Sequence, residues 1–218
     1  MVAIQFPVFV YGAGGHAKVI LDILTMHGIE NIVIVDDDES RWGSRLMGYE
    51  IRNSKIALDE MRHQGIHQGI IAIGNNRIRE EKGDQIQKMG YELISAIHPT
   101  AVIAKTATIG AGSAIMAGAI VNSDSVVGEN VTLNTACSID HDCHIGPCAH
   151  ISPGAHLGGT VTIGKRTHVG IGAVVLPHLH IGNDVMVGGG AVVISDLPDG
   201  VTAVGVPAKI IKNHQSKL

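Results

Sequence analysis

The chain has 218 residues, of which 45% are apolar, 28 are glycine and only 3% are aromatic. A core with so few rings must be filled by small branched side chains in thin layers, which favours a repetitive β architecture. With 16 basic and 20 acidic residues, a net charge of −4 and no apolar run long enough for a bilayer, the sequence predicts no nucleic-acid partner and no membrane insertion.

The first predicted domain, residues 1–97, follows a β-α-β-α-β pattern. Its apolar start, Met1 to Tyr11, lacks a positive leader and a cleavage site, so it predicts a first strand rather than a signal peptide. A glycine turn and a helix follow, then the buried strand NIVIVDDD, and then the strand GIIAIG with an amphipathic helix. Strands that alternate with helices in this way predict a small parallel sheet, a Rossmann-like α/β domain.

The first turn, Gly12 to Ala17, matches the pattern G-x-G-x-x-G/A, and Asp36 lies twenty-one residues beyond Gly15. Such a turn before a helix predicts a site for phosphate at the helix N-terminus. Because the chain leaves this pattern after about half of a dinucleotide domain, we expect a mononucleotide such as the UDP or GDP of an activated sugar. A turn that needs glycine only for packing is the alternative interpretation.

Further candidate contacts lie at the carboxyl ends of the next two strands. Asp36 and Asp37 follow the second strand and would contact ribose or base edges, whereas a solvated loop explains Asp38 equally well. Gly74 and Asn75 follow the third strand, at the edge where sheets of this kind bind ligands.

A six-residue repeat begins at Ile103, and a branched aliphatic residue recurs at every sixth position up to Val193 without a failure. A generally small residue such as Ala119 follows four positions later, so each six residues supply two inward side chains, a short strand and a turn. A second period, of eighteen residues, is carried by glycines: Gly110, Gly128, Gly146, Gly164 and Gly182. Three hexapeptides therefore close one triangular coil, and about five coils stack as a solenoid.

This repeat defines the second predicted domain, residues 98–218, as a parallel β-helix. A sandwich of alternating strands would instead show period two broken by irregular turns. The tail after Pro198 is expected to pack back on the last coil.

His141 is the candidate general base. It lies between Asp140 and Asp142, and an adjacent carboxylate can fix the imidazole tautomer and raise its basicity, as catalysis near neutral pH requires. Its stacked neighbours one coil away are Ser123 and Gly159, and the glycine predicts an open groove beside the ring. A histidine with only a structural role is the alternative.

Five other coil histidines share the last position of a hexapeptide: His144, His150, His156, His168 and His180. That position predicts a corner facing solvent or another subunit. His150 and His168 stack one coil apart, but a metal site needs three or four convergent ligands and no acid or thiol joins the pair, so no metal is predicted.

Cys137 and Cys143 are expected as inward core thiols, and with Cys148 they form an odd set without CxxC spacing. Such thiols indicate a reducing cytoplasm.

The chain resembles the hexapeptide acyltransferases, typified by sialic-acid O-acetyltransferases and by N-acetyltransferases of nucleotide-linked 4-amino-4,6-dideoxy sugars. The similarity covers nearly the whole length and is carried by these segments: YGAGGHAKVI, AIGNNRIR, LNTACSIDHDCHIG, HISPGA, GGTVTIG, VGGGAVV and VGVPAK. The resemblance implies a left-handed coil, a hand that the spacing does not determine, and acetyl-CoA as co-substrate. It also implies a homotrimer with the CoA site between adjacent β-helices.

The resemblance implies roles for individual residues as well. His141 would take the proton from the attacking sugar amine or hydroxyl, with Asp142 raising its basicity from slightly farther back than the glutamate that the family can carry there. The residues expected at the acetyl group and along pantetheine are Asn134, His150, Gly159, Ile171 and Gly189. The residues expected at the nucleotide sugar are Gly14, Gly15, His16, Asp36, Asp37, Gly74 and Asn75.

The expected function is transfer of acetyl from acetyl-CoA to the 4-amino group of a UDP-, GDP- or dTDP-linked dideoxyamino sugar, for surface glycan biosynthesis. The nucleotide-binding domain favours this acceptor over a free sugar. O-acetylation of sialic acid or another sugar by the same base is the alternative. A non-catalytic trimeric scaffold or an NAD-binding module is the more remote one.

Overall fold

The computed structural model describes residues 7–214, and its contacts divide the chain into two compact units, Met1–Pro99 and Thr100–Leu218. The first unit is an α/β domain, and the second is a stack of short parallel strands. The predicted first strand starts at Met1, but residues 1–6 lie outside the described part, and the observed strand covers Val8–Tyr11.

The first unit consists of a six-stranded sheet with helices. Its elements are β1 (Val8–Tyr11), α1 (Gly15–Met26), β2 (Ile32–Asp36), a 3-10 turn (Glu39–Arg41), β3 (Arg45–Leu46), β4 (Tyr49–Asn53), α2 (Ser54–His63), β5 (Gln68–Ile71), α3 (Asn76–Lys88), β6 (Glu92–Leu93) and the short β7 (Ala96–Ile97). The strand order is β3-β4-β2-β1-β5-β6, and every pair is parallel except the β3–β4 hairpin.

The β-α-β-α-β pattern implies a helix between the second and third predicted strands without locating it, and there the structure has the β3–β4 hairpin and α2. Within β4 only Ile51 is buried, so this strand carries no apolar run that would reveal it. α2 is short and buries Ala57, Leu58 and Met61 in the core that also contains Ile86 of α3. The two helices therefore contribute to one core.

The carboxyl ends of the parallel strands bring the predicted ligand turns together. The loop after β1 contains residues 12–14, the loop after β2 begins at Asp37, and the loop after β5 contains Gly74. Because β1 lies between β2 and β5, these three loops share one edge of the sheet. This is the edge at which open α/β sheets bind their ligands.

The second unit contains sixteen two-residue strands between residues 102 and 193. They are β8 (Val102–Ile103), β9 (Thr108–Ile109), β10 (Ala114–Ile115), β11 (Ile120–Val121), β12 (Val126–Val127), β13 (Thr132–Leu133), β14 (Ser138–Ile139), β15 (His144–Ile145), β16 (His150–Ile151), β17 (His156–Leu157), β18 (Thr162–Ile163), β19 (His168–Val169), β20 (Val174–Val175), β21 (His180–Ile181), β22 (Met186–Val187) and β23 (Val192–Val193). They pair in parallel across eighteen residues and form three faces: β10-β13-β16-β19-β22, β8-β11-β14-β17-β20-β23 and β9-β12-β15-β18-β21.

Both sequence periods have a steric origin in this stack. The second residue of each strand is the predicted aliphatic residue, and from Ile115 onward all of them are buried. The predicted inward thiols Cys137 and Cys143 are fully buried as well. A β-carbon added to Gly110 would lie 2.5 Å from the carbonyl carbon of Gly128, so glycine recurs where the backbones of consecutive coils touch.

The tail packs back on the last coils, which confirms that expectation. β24 (Val201–Val204) pairs in parallel with β22, and β25 (Lys209–Asn213) pairs antiparallel with β24. The fold class is confirmed: a Rossmann-like α/β domain followed by a left-handed parallel β-helix. None of the helices between residues 7 and 214 has the length and apolar character needed to cross a bilayer.

Candidate active site

His141 and Asp142 lie on a corner of the coil, in the turn between β14 and β15. Nδ1 of the imidazole is 2.7 Å from Oδ2 of Asp142, so the carboxylate contacts the ring directly and is not set back from it. Both side chains are more than half exposed, so the ring does not fill the coil interior. With Nδ1 engaged by the carboxylate, Nε2 of the neutral ring is left to accept a proton.

The electrostatics of this corner suit a general base. The hydrogen bond with Asp142 raises the pKa of His141 above its usual value, and the charge of Asp140 adds to the increase. Asp140 itself anchors the turn, because its Oδ1 accepts hydrogen bonds from the His141 backbone N–H at 2.8 Å and from Asn122 Nδ2 at 3.0 Å. The two acids that flank the histidine therefore have different tasks.

Gly159 lies beside His141 in the following coil, as the eighteen-residue period predicts. A β-carbon on Gly159 would lie 2.6 Å from Cε1 and 2.7 Å from Nε2 of the imidazole. The space predicted as an open groove is therefore occupied by the ring itself. Within the described residues, the backbone N–H of Gly159 donates to no other group, which leaves a donor available next to the base.

The residues expected to bind acetyl-CoA lie at two different corners of the coil. Gly159 shares the corner of the candidate base. Asn134, Ile171 and Gly189 lie at the other corner, because each follows a strand of the face β10-β13-β16-β19-β22. Nδ2 of Asn134 is 3.1 Å from Nε2 of His150, which joins the fifth residue to this second group. A single coil therefore does not gather all five around the base.

The five histidines predicted at corners are not corner residues, so that prediction is wrong. Each is the first residue of a two-residue strand: His144, His150, His156, His168 and His180. Because side chains alternate along a strand, they point outward from the flat faces. The rings of His150 and His168 stack at 4.6 Å between centroids, but each Nε2 faces a side chain, Asn134 for the first and Ser152 for the second. No cluster of three metal-ligating residues occurs between residues 7 and 214.

The first unit has a cavity of about 710 Å³ at the carboxyl edge of its sheet. Six of the seven predicted nucleotide-sugar residues line it: Gly14, Gly15, His16, Asp36, Asp37 and Gly74. A β-carbon on any of these three glycines would meet no protein atom within 4 Å, so their missing side chains keep the cavity open. Gly12 has another role, because its φ is +111° and a β-carbon there would lie 2.8 Å from the Ala72 carbonyl oxygen.

Two predicted contacts are engaged by the protein itself. Asp36 accepts hydrogen bonds from the backbone N–H groups of Ala13 at 2.7 Å and Asp38 at 2.9 Å, so it braces the glycine turn. The side-chain oxygen of Asn75 accepts from two backbone N–H groups in the first turn of α3 and caps that helix. Asn75 is the predicted residue that does not line the cavity.

Asp37 is the centre of a charged cluster. Its carboxylate accepts hydrogen bonds from the Tyr11 hydroxyl at 2.7 Å and from Ser54, and it lies 2.5 Å from Lys82 Nζ. Burial works to raise the pKa of Asp37, but the hydrogen bonds from these three donors outweigh burial and lower it. Asp37 is therefore an ionised carboxylate held in a fixed position on the cavity wall.

Sequence reasoning missed several residues of this region. A second cavity of about 610 Å³ shares Tyr11, Asp37 and Lys82 with the first and extends to Trp42 and Ser54. The indole N–H of Trp42 donates to the Asp36 carbonyl at 2.8 Å. Trp42 is the single tryptophan of the chain, and this uniqueness is the one feature of the sequence that could have pointed to it.

His16 is the first side chain of α1 to enter the 710 Å³ cavity. Its Nε2 is buried and has no hydrogen-bond partner in the part of the chain that the structure describes. Burial and the positive charge of Arg79 lower the pKa of His16 to about 4. The ring is therefore neutral at physiological pH, with a polar atom left over for a ligand.

The similarity of this chain to known proteins extends over both units. The family model described as the PglD N-terminal domain matches residues 7–96. PerB from Caulobacter crescentus, solved with CoA and GDP-perosamine, is 40% identical over 95% of this chain and 98% of its own, with a TM-score of 0.90. The acetyltransferase domain of PglB from Neisseria gonorrhoeae, solved with acetyl coenzyme A, is 38% identical over 94% of this chain and 98% of its own, with a TM-score of 0.88. WeeI from Acinetobacter baumannii is 30% identical over 94% and 99%, with a TM-score of 0.86.

Proposed function

Because the chain belongs to the hexapeptide-repeat N-acetyltransferases of nucleotide-linked 4-amino sugars, we propose that it moves acetyl from acetyl-CoA to the 4-amino group of a GDP-, UDP- or dTDP-linked dideoxyamino sugar. The observation that carries the proposal is the exposed His141–Asp142 pair beside Gly159. Membership makes the chain a CoA-dependent sugar N-acetyltransferase, which sets aside the non-catalytic alternative. The product would serve surface glycan biosynthesis.

In the proposed reaction, the nitrogen of the sugar amine attacks the thioester carbonyl, and Nε2 of His141 removes a proton from that amine. The N–C bond forms first and gives a tetrahedral oxyanion, which the free N–H of Gly159 would stabilise. Collapse of that intermediate breaks the C–S bond. The CoA thiolate leaves and takes the proton from the imidazolium, so the base is regenerated. Asp142 favours the imidazolium throughout by its contact with Nδ1.

The nucleotide is assigned to the 710 Å³ cavity. Gly14 and Gly15 leave space at the N-terminus of α1, where backbone N–H groups favour the diphosphate. His16 and Gly74 line the same space, and the Asp37 carboxylate can accept hydrogen bonds from ribose or base. Asp36 and Asn75 are assigned supporting roles, because both are engaged by the backbone.

The working enzyme is proposed to be a homotrimer with acetyl-CoA between adjacent β-helices. The expected CoA contacts are split between two corners, so a neighbouring coil would complete each site, with Asn134 and His150 at the acetyl group and Ile171 and Gly189 along pantetheine. The face that joins these corners exposes apolar side chains, including Val102 and Ile120, which supports contact with another subunit. The three buried free thiols support a reducing, cytoplasmic setting.

The substrate assignment is tested by incubating the full chain with acetyl-CoA and a panel of GDP-, UDP- and dTDP-linked 4-amino sugars, including GDP-perosamine. CoA thiol release gives the rate, and mass spectrometry with alkaline treatment separates a stable amide from a labile ester. We expect an amide on a nucleotide-linked amine. Turnover of free sialic acid to an ester, with every nucleotide-linked amine inert, would contradict the proposal.

The shared site is tested by co-expressing two inactive variants, His141→Ala and Asn134→Ala, with different purification tags. If each site takes His141 from one subunit and Asn134 from its neighbour, about a third of the sites in mixed trimers are intact. Activity well above the sum of the separate variants is therefore expected. Mixed trimers that remain as inactive as either parent would show that one subunit supplies both residues.

A further inference from the structure

Arg79 is a fully buried arginine that the proposed reaction does not use. It lies in α3 with 1% of its surface exposed. Its guanidinium donates to the carbonyls of Ile73 at 2.9 Å and Gly74 at 3.3 Å, and to Asn76 Oδ1 at 2.9 Å. Ile73 and Gly74 belong to the turn that connects β5 to α3, and Asn76 is the first residue of α3. Because the planar guanidinium donates hydrogen bonds to several acceptors close together in the chain, it fixes the shape of this turn.

The same arginine also acts on a second residue of the cavity wall, His16. Its charge is one of the two causes that hold the pKa of His16 at about 4, the larger being burial. His16 and Gly74 both line the 710 Å³ cavity, so one buried side chain influences two of its walls. Burying a charged guanidinium costs desolvation free energy unless hydrogen bonds compensate it, and this cost favours a role for Arg79 beyond packing.

We propose that Arg79 is a positioning residue of the nucleotide-sugar site, which holds the turn at Gly74 and the uncharged imidazole of His16 for the diphosphate of the ligand. The inference rests on the proposed function. A phosphate oxygen only accepts hydrogen bonds, and a neutral imidazole with its proton on Nε2 donates one. The unpartnered Nε2 of His16 supplies that donor, and the buried guanidinium adds a fixed positive potential.

Other charged groups share the cavity with His16, and any pH effect must be separated from theirs. They are Tyr11, Asp36, Asp37, Asp38, Arg41 and Lys82. The low pKa of His16 itself has two causes, burial first and then the charge of Arg79 from within α3. Removing Arg79 therefore raises the pKa of His16 only in part, because burial, the larger cause, remains.

The test compares Arg79→Met, Arg79→Lys and the control Arg77→Met, which removes a charge from an exposed position of the same helix. Calorimetry gives the Kd for GDP and UDP between pH 6 and 8, and NMR follows the His16 imidazole, assigned with His16→Gln.

Arg79→Met should bind diphosphate about 10- to 100-fold more weakly at pH 8. NMR should show the His16 pKa raised in Arg79→Met and unchanged in Arg79→Lys, a difference that a purely structural role would not produce. Arg79→Lys keeps the charge but loses the fork, so it should bind about three- to tenfold more weakly, by a pH-independent factor.

Each outcome decides a different question. Affinity of both Arg79 variants equal to that of Arg77→Met, at every pH, would overturn the positioning role. If Arg79→Met does not fold, wild-type diphosphate affinity in Arg79→Lys overturns it alone. Failure of the unmodified chain to bind any nucleoside diphosphate would instead contradict the proposed function. The KM for acetyl-CoA should stay unchanged in all folded variants.

Discussion

The imidazole of His141 rests against the backbone of Gly159, one coil further along the β-helix. The parallel pairing of Ser138 with His156 brings these two turns into consecutive layers. The proposed base therefore owes its position to the missing side chain of Gly159, eighteen residues away, and its raised pKa to Asp142, the next residue.

Gly159→Ala should displace the base without removing it. The added methyl would overlap the ring, and a shift of about 1 Å in a reacting group costs roughly a hundredfold in turnover. Steady-state CoA release measures the loss. The matched control is Gly158→Ala, whose β-carbon would meet Pro177 rather than the imidazole. Control and variant should lose similar thermal stability, and equal turnover in the two proteins would argue against this packing relationship.

His141→Asn and His141→Ala should leave a folded protein with kcat lower by about two to four orders of magnitude, the range for loss of a general base. The side chain is more than half exposed, so its removal leaves the coil core intact. Circular dichroism and size-exclusion chromatography check the fold. Wild-type rates at saturating acceptor would mean that another group takes the proton.

Asp142→Asn should move the acid limb of the pH–kcat/KM profile to lower pH. The pKa of His141 is raised by the Asp142 hydrogen bond, and the base works only when deprotonated, so activity falls as pH drops through that raised pKa. Removing the charge lowers the pKa and weakens the base, with a maximal rate lower by roughly ten- to a hundredfold. An acid limb that stays in place would exclude Asp142 as the group that tunes the imidazole.

Gly14→Ala and Gly12→Ala should separate ligand space from backbone strain. A β-carbon at Gly14 meets no protein atom but enters the cavity, so the KM for the nucleotide sugar should rise at least about tenfold with little change in Tm. Gly12 has φ +111° and a crowded β-carbon position, so alanine there should cost roughly 1–3 kcal/mol of stability. The prediction fails if Gly14→Ala keeps its KM or if Gly12→Ala melts like the unmodified chain.

Thermal shift with single ligands distinguishes the enzyme from a dinucleotide-binding module. A ligand at a hundredfold excess over its Kd stabilises the folded state by about 2.7 kcal/mol. Acetyl-CoA and one nucleoside diphosphate should each raise Tm, whereas NAD should not. Stabilisation by NAD without any effect of CoA would reverse the assignment.

The β-helix was readable from the sequence because its contacts obey a fixed spacing. Each coil touches only its neighbours, so eighteen residues in the chain equal one layer in space. That rule places Gly159 beside His141 and explains the glycine series at Gly110 and beyond. The glycine turn of the first unit is also a local feature of the chain. Its residues Gly14, Gly15 and His16 could therefore be predicted to line the cavity.

Only the tertiary structure decided how the 710 Å³ cavity, the proposed nucleotide site, is built. The cluster around Asp37 joins Tyr11, Ser54 and Lys82, which come from separate elements with no common period. Asn75 lies beside Gly74 as predicted but caps a helix. Arg79 ends the segment AIGNNRIR, and its role became visible only from its burial in the structure. In an α/β domain, residues distant in the chain meet at a sheet edge, and the chain order alone does not state which side chains reach one another.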